Sequence, residues 1–249
     1  MVYVSSIIVI PVLQCFCLCV RATSFFPDQV TFGRESNADY VRIMLHGSEI
    51  ISDVIDDFKP SILLSVDYPS THESASLGNT VDPDDVQSKP IVLLQSVEGP
   101  GSSHPDTLFT VILTDPDAPS RENPEWSEMC HWIATNFTLT ASLDADPLIR
   151  FRQQPPDKQQ APAELVEYLP PSPPPKTGPH RYAFLVFRPK DGHGHGRLST
   201  PDDRKHWGTG KARHGVRQWA NENDLIPVGE CEEDFNPTWH LLSMILIGI

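Results

Sequence analysis

Asp115 and Asp117, two carboxylates separated by one proline, close the β-like run Leu108–Thr114, and two histidines, His131 and His180, open later β-like runs. Pro116 and Pro119 remove two N–H donors and fix two φ angles, so the turn Asp115–Pro119 holds its carboxylates with little rotational freedom. Carboxylates repel a phosphate directly. Their expected task is to orient and charge neighbouring imidazoles, because a nearby carboxylate raises a histidine pKa. Charged or suitably tautomeric, His131 and His180 would donate to phosphate oxygens with help from backbone N–H groups. On that reading, phosphoester binding weakens as pH rises through the histidine range. The competing readings are a turn whose carboxylates bond their own backbone and a metal-binding Asp-x-Asp. The second lacks the doubly wound nucleotide-binding pattern that would support it. A hydrolase or metal-dependent enzyme built on Asp115, Asp117 and the two histidines is the alternative from another class. The chain has no Gly-x-Ser-x-Gly elbow, Walker loop or His-Glu-x-x-His, which disfavours enzymatic activity.

Other residues carry weaker signals. Arg181 is expected to be structural, pairing with a carboxylate under the sheet. Asp191, His193 and His195, in Asp-Gly-His-Gly-His-Gly, have metal-ligating types, but a glycine-rich loop without a fourth ligand reads better as solvated. Cys130 and Cys231 allow one disulfide or two free buried thiols. Asn136-Phe137-Thr138 is an N-glycosylation sequon inside a β-like run. Ala118-Pro119 is a candidate cis bond. Pro170–Pro175 suits polyproline II, read by a partner or stiffening a rim.

The elements that must position these groups follow from pattern. With 249 residues, 39% of them hydrophobic, and a mean hydropathy of -0.27, the chain is neither disordered nor a polytopic membrane protein. A net charge of -14 argues against non-specific nucleic-acid binding, and 25 prolines argue against long helical bundles. Apolar spacing over 38–58 predicts an amphipathic helix capped by Ser36 or Asn37 and closed by Pro60. Strands are expected at 62–66, 91–97, 108–114, 131–137, 164–169 and 181–188, with 70–89 a polar connection. A helix at 211–223 presenting Val216, Trp219 and Ala220 precedes a strand at 225–228. Residues 7–20 resemble the apolar core of a secretory signal with a cut after Ala22, an uncleaved membrane anchor being the rival. The nine mostly apolar residues 241–249 are too few to span a bilayer and read as a terminal helix or strand packed on the body.

The segments Thr114-Asp-Pro-Asp-Ala-Pro-Ser-Arg121, Cys130-His-Trp132 and Gly178-Pro-His-Arg-Tyr182, in this order, resemble the phosphatidylethanolamine-binding proteins. That family includes the Raf kinase inhibitor protein, the plant flowering regulators and the fungal carboxypeptidase Y inhibitors. The resemblance implies a mainly β domain over 23–240, with a large central antiparallel sheet, a smaller second sheet and peripheral helices, preceded by a helical extension at about 36–58. It further implies an anion pocket walled by Asp115, Asp117, Ala118 and Pro119, with His131 and His180 as its imidazoles and Tyr182 at its base. Pro173, Pro174 and Trp126 match the rim. The implied activity is non-enzymatic binding of a phosphorylated headgroup or anionic peptide, without a cofactor, and inhibition of a serine carboxypeptidase. Met129 stands where many relatives carry tryptophan, and Lys176 takes the usual glycine's place.

Overall fold

The computed structural model describes residues 34–75, 78–97, 107–139, 162–192, 197–230 and 244–247. The predicted signal segment, Cys231, His193 and His195 lie outside these residues. A seven-stranded sheet forms the body, in the order β3 (Asn79–Val81), β11 (Met244–Ile247), β8 (His180–Pro189), β5 (Phe109–Asp115), β6 (Met129–Phe137) and β7 (Ala163–Val166), with β9 (Leu225–Pro227) beside β8. Its central pairs are antiparallel, and β3 joins β11 in parallel. The smaller sheet is centred on β1 (Ile62–Tyr68), paired with β2 (Glu73–Ala75), β4 (Ile91–Ser96) and β10 (Gly229–Glu230).

Every residue of β5 is buried, and nearly every residue of β8. This is the expected fate of uninterrupted Val, Ile, Leu and Phe runs covered on both faces. Side chains such as Leu113, Ile112 and Phe184 are fully enclosed, each stabilising the fold by about 1.5–3 kcal/mol relative to exposure. The described part of the C-terminal apolar segment forms a strand. Met244–Ile247 aligns antiparallel with His180–Ala183, the segment that carries the site.

The expected helix over 36–58 does not form as one element. Helix α1 (Arg34–Gly47) is followed by Glu49 in the left-handed region (φ 62°) and a single irregular turn, α2 (Ile50–Asp53). Ile50, Ile51, Val54 and Ile55 are all buried. The chain leaves the helix at Glu49, and the irregular turn that follows buries all four side chains. The C-terminal helix α3 (Gly215–Glu222) buries Val216, Trp219 and Ala220 as expected. It starts four residues late, because the buried Glu128 carboxylate accepts the Val216 N–H at 3.0 Å and fixes its first turn. The connection 70–89 holds two three-residue strands and a 3₁₀ turn, Pro83–Val86, capped by Asp82. Strands this short show no alternation in sequence.

Candidate functional site

Strand β8 organises the site. Its side chains alternate across the sheet, so His180 and Tyr182 share one face while Arg181 points to the other. Asp115, at the end of neighbouring β5, meets the first face; Asp117, two residues into the turn, meets the second.

On the first face, the Asp115 carboxylate is 2% exposed. Its Oδ1 accepts the Asp117 N–H at 2.7 Å, and its Oδ2 lies 2.9 Å from His180 Nδ1. Burial, together with the negative charge of Asp115, drives the Tyr182 phenol pKa up. Tyr182 stacks on His180 with ring centroids 6.3 Å apart and meets His131 edge-on at 5.1 Å. His180 Nε2 lies 2.9 Å from the Thr177 hydroxyl. His131 Nδ1–H donates to the Leu169 carbonyl at 2.8 Å, which leaves Nε2 with no hydrogen bond among the described residues. Arg204 steadies this pair of segments, donating to the carbonyls of Cys130, His131 and Glu167.

The expectation that carboxylates charge both histidines is corrected here. Burial pushes the His131 pKa down and outweighs the opposing pull of Asp115. The ring is therefore held neutral, because its carboxylate neighbour cannot repay the loss of water around an imidazolium.

The second face is closed. The Asp117 side chain is fully buried and accepts from the Arg181 backbone N–H at 2.8 Å and from its guanidinium at 2.7–3.2 Å. The same guanidinium donates to the Ser48 carbonyl at 2.6 Å and to Asp53 at 3.0 Å, and Arg213 donates to Asp53 at 2.9 Å. Arg181 is the structural residue expected from sequence. Asp117 pairs with it and contacts neither imidazole. Ser48, Asp53 and Arg213 were not identified from sequence; no local pattern announces a pairing between residues 128 positions apart.

The remaining predicted residues fall around the first face or away from it. Ala118 is buried in the turn, the Ala118–Pro119 bond is cis, and Trp126 N–H donates to the Ala118 carbonyl. Trp126 is half-buried with Lys205 Nζ 4.0 Å above its ring. Pro173 is buried, and the Pro174 carbonyl accepts from the Thr177 hydroxyl at 2.7 Å and its N–H at 3.3 Å. Lys176 adopts φ 71°, the left-handed conformation that favours the glycine it replaces. Asn136 is half-buried beside a register shift between β5 and β6. Cys130 is a free buried thiol, pushed by burial up to about 12. No group of three metal-ligating side chains occurs among the described residues, and no helix there is long and apolar enough to cross a membrane. A cavity of about 350 Å³ lies apart from the imidazoles, lined by Cys130, Leu165, Val166 and residues 200–204.

The sequence profile of the phosphatidylethanolamine-binding protein family matches residues 71–228, more than half of the chain. The chain belongs to that family. Carboxypeptidase Y inhibitor of Saccharomyces cerevisiae is 36% identical over 72% of this chain and 86% of its own length. Protein FLOWERING LOCUS T of Arabidopsis thaliana is 30% identical over 59% of the chain and 70% of its own. Among solved structures, carboxypeptidase Y inhibitor complexed with its cognate proteinase superposes with a TM-score of 0.64 at 28% identity, covering 85% of this chain and 96% of that one. The Plasmodium vivax phosphatidylethanolamine-binding protein shares the fold, with a TM-score of 0.56 at 18% identity and coverage of 84% and 97%. Family membership and the two-sheet architecture thus agree with the motifs that first suggested them.

Proposed function

We propose that this phosphatidylethanolamine-binding-protein domain is a non-enzymatic binding protein that takes a phosphorylated headgroup or related anion at the Asp115–His180–Tyr182–His131 cluster. The observation that carries this reading is His131 Nε2, the one ring nitrogen of the two imidazoles that no described side chain or carbonyl occupies. A phosphate oxygen facing that nitrogen needs one proton between them. Either the ligand monoanion brings it, since a phosphoester's second pKa is about 6, or His131 takes it from solvent. Asp115 and Tyr182 set the floor and hold His180 in place.

The downstream role we assign is inhibition of a serine carboxypeptidase, supported by the likeness to the yeast inhibitor in both sequence and fold. The apolar segment before Ala22 supports a place in the secretory pathway. The test has two arms. Phosphorylethanolamine titrated into the full-length chain gives saturable NMR shifts at Asp115–Arg121 and His131, lost in His131→Ala. A yeast-type serine carboxypeptidase is inhibited saturably while the chain stays uncleaved. No shifts in the folded wild type would sink the pocket, and unaffected carboxypeptidase would sink the inhibitor role.

A further inference from the structure

Thr177 completes a chain of hydrogen bonds that no sequence motif announces. Asp115 Oδ2 lies 2.9 Å from His180 Nδ1, and His180 Nε2 lies 2.9 Å from Thr177 Oγ1. A hydroxyl, an imidazole and a buried carboxylate within hydrogen-bond reach, the base oriented by the acid, is the signature of an activated nucleophile, recognised by geometry rather than chain order. Asp115 is itself fixed by the Asp117 N–H, and the Tyr182 ring stacks on His180. A carboxylate accepts through both oxygens, so His180 Nδ1 carries a proton toward Oδ2. In the neutral ring that tautomer leaves Nε2 as an acceptor facing Thr177. The hydroxyl also donates to the Pro174 carbonyl at 2.7 Å, and rotation about its C–O bond carries that single proton from the carbonyl to Nε2. Thr177 is half-buried, so a small reagent reaches it, unlike the fully enclosed His180.

We propose that Thr177 is an acylation site, its hydroxyl activated by His180 and Asp115 to take an acyl group from an activated ester. Oγ1 attacks the ester carbonyl carbon while its proton passes to His180 Nε2. The C–O bond to the alcohol then breaks, and the imidazolium returns the proton to the departing oxygen, leaving acyl-threonine, free alcohol and neutral His180. Atoms and charge balance without an oxidant or metal. Aryl esters are the substrate class, since a good leaving group asks least of oxyanion stabilisation. The step is one acyl transfer per chain, which goes beyond the binding role and does not depend on it.

The experiment is a p-nitrophenyl acetate burst on the full-length chain, followed by peptide mapping of the acetyl group. The expected result is about one equivalent of p-nitrophenolate per chain, as for an acyl-enzyme that accumulates, with the acetyl group on Thr177. Thr177→Val, which keeps the side-chain shape, and Asp115→Asn lose the burst by at least roughly tenfold. Thr177→Ser restores it, which a merely structural role for the hydroxyl would not predict. Phosphorylethanolamine titration of Thr177→Val reports the headgroup site separately. A folded wild type with no burst, a burst that survives Thr177→Val, or acetyl confined to lysines would each overturn the proposal.

Discussion

Asp115 and Asp117 are two residues apart in one rigid turn, both buried, yet they lie in different chemical regions. Asp115 faces the imidazole side of β8, where His180, Tyr182 and the free nitrogen of His131 converge. Asp117 faces the opposite side, where Arg181 binds it to Asp53 and the Ser48 carbonyl. Strand alternation does the sorting, because His180 and Arg181 are successive residues and cannot share a face. One motif therefore does two jobs. Its first carboxylate poises a site, and its second clamps the N-terminal segment to the underside of that site. A buried carboxylate matched by a guanidinium closes its own chemistry, whereas one matched by an imidazole leaves a group that exchanges protons.

The comparison breaks most sharply at Asp117. Replacing it with alanine leaves the Arg181 guanidinium, 1% exposed, with the Ser48 carbonyl, the partly exposed Asp53 and the more distant, exposed Glu49. Removing one partner of such a pair costs about 3–5 kcal/mol, so Asp117→Ala should lose that much stability in urea denaturation. A loss below 1 kcal/mol would mean the clamp does not hold the fold. On the other face, Asp115→Asn keeps the shape but removes the charge that fixes His180. Headgroup affinity should fall by roughly tenfold or more while stability falls less than in Asp117→Ala; equal stability losses would erase the distinction.

His131 sharpens the contrast through pH. Its folded pKa lies below the ordinary value of 6.5, so it contributes stability that is present above that value and lost as pH falls through the folded one. Binding runs the other way, since the complex holds one proton more than neutral His131 and the phosphate dianion. Affinity should drop by up to about tenfold per pH unit above roughly pH 6. Calorimetry from pH 5.5 to 8 checks it, and a flat profile contradicts it.

Glu128 offers a third buried carboxylate, facing the first turn of α3, where burial outweighs the Val216 N–H and the Arg217 charge. Burial raises its pKa to about 8 from an ordinary 4.5. With the folded value raised, its contribution is complete below the unfolded value and is lost as pH rises toward 8. Glutamine keeps an acceptor for Val216, so Glu128→Gln should flatten the fall in melting temperature between pH 5 and 8 by several degrees. An unchanged slope would remove Glu128 from the comparison.

Much of this was legible in the residues. The long apolar runs became β5, β6 and β8, and the Asp-Pro-Asp turn and the Gly-Pro-His-Arg-Tyr segment met as their resemblance implied. Lys176 in a left-handed conformation also matches the position where the resemblance implied glycine. The rest was hidden for physical reasons. Helical spacing over 38–58 was genuine in part, but the chain breaks at Glu49, whose left-handed backbone no apolar spacing records. The Asp117 clamp depends on Asp53, a partner brought close only by the tertiary fold. The neutrality of His131 comes from burial, which a motif does not record, so reading its carboxylate neighbour alone gave the wrong sign.

The most direct test of the central claim is imidazole nitrogen NMR of the full-length chain with and without phosphorylethanolamine at pH 6.5. The account predicts that His131 Nε2 moves from a bare acceptor to a protonated, ligand-bonded nitrogen, while His180 Nδ1 stays donated to Asp115 and the Arg181 guanidinium signals do not move. Saturable changes at Arg181 with His131 unchanged would contradict it, placing the anion on the face here assigned to holding the fold together.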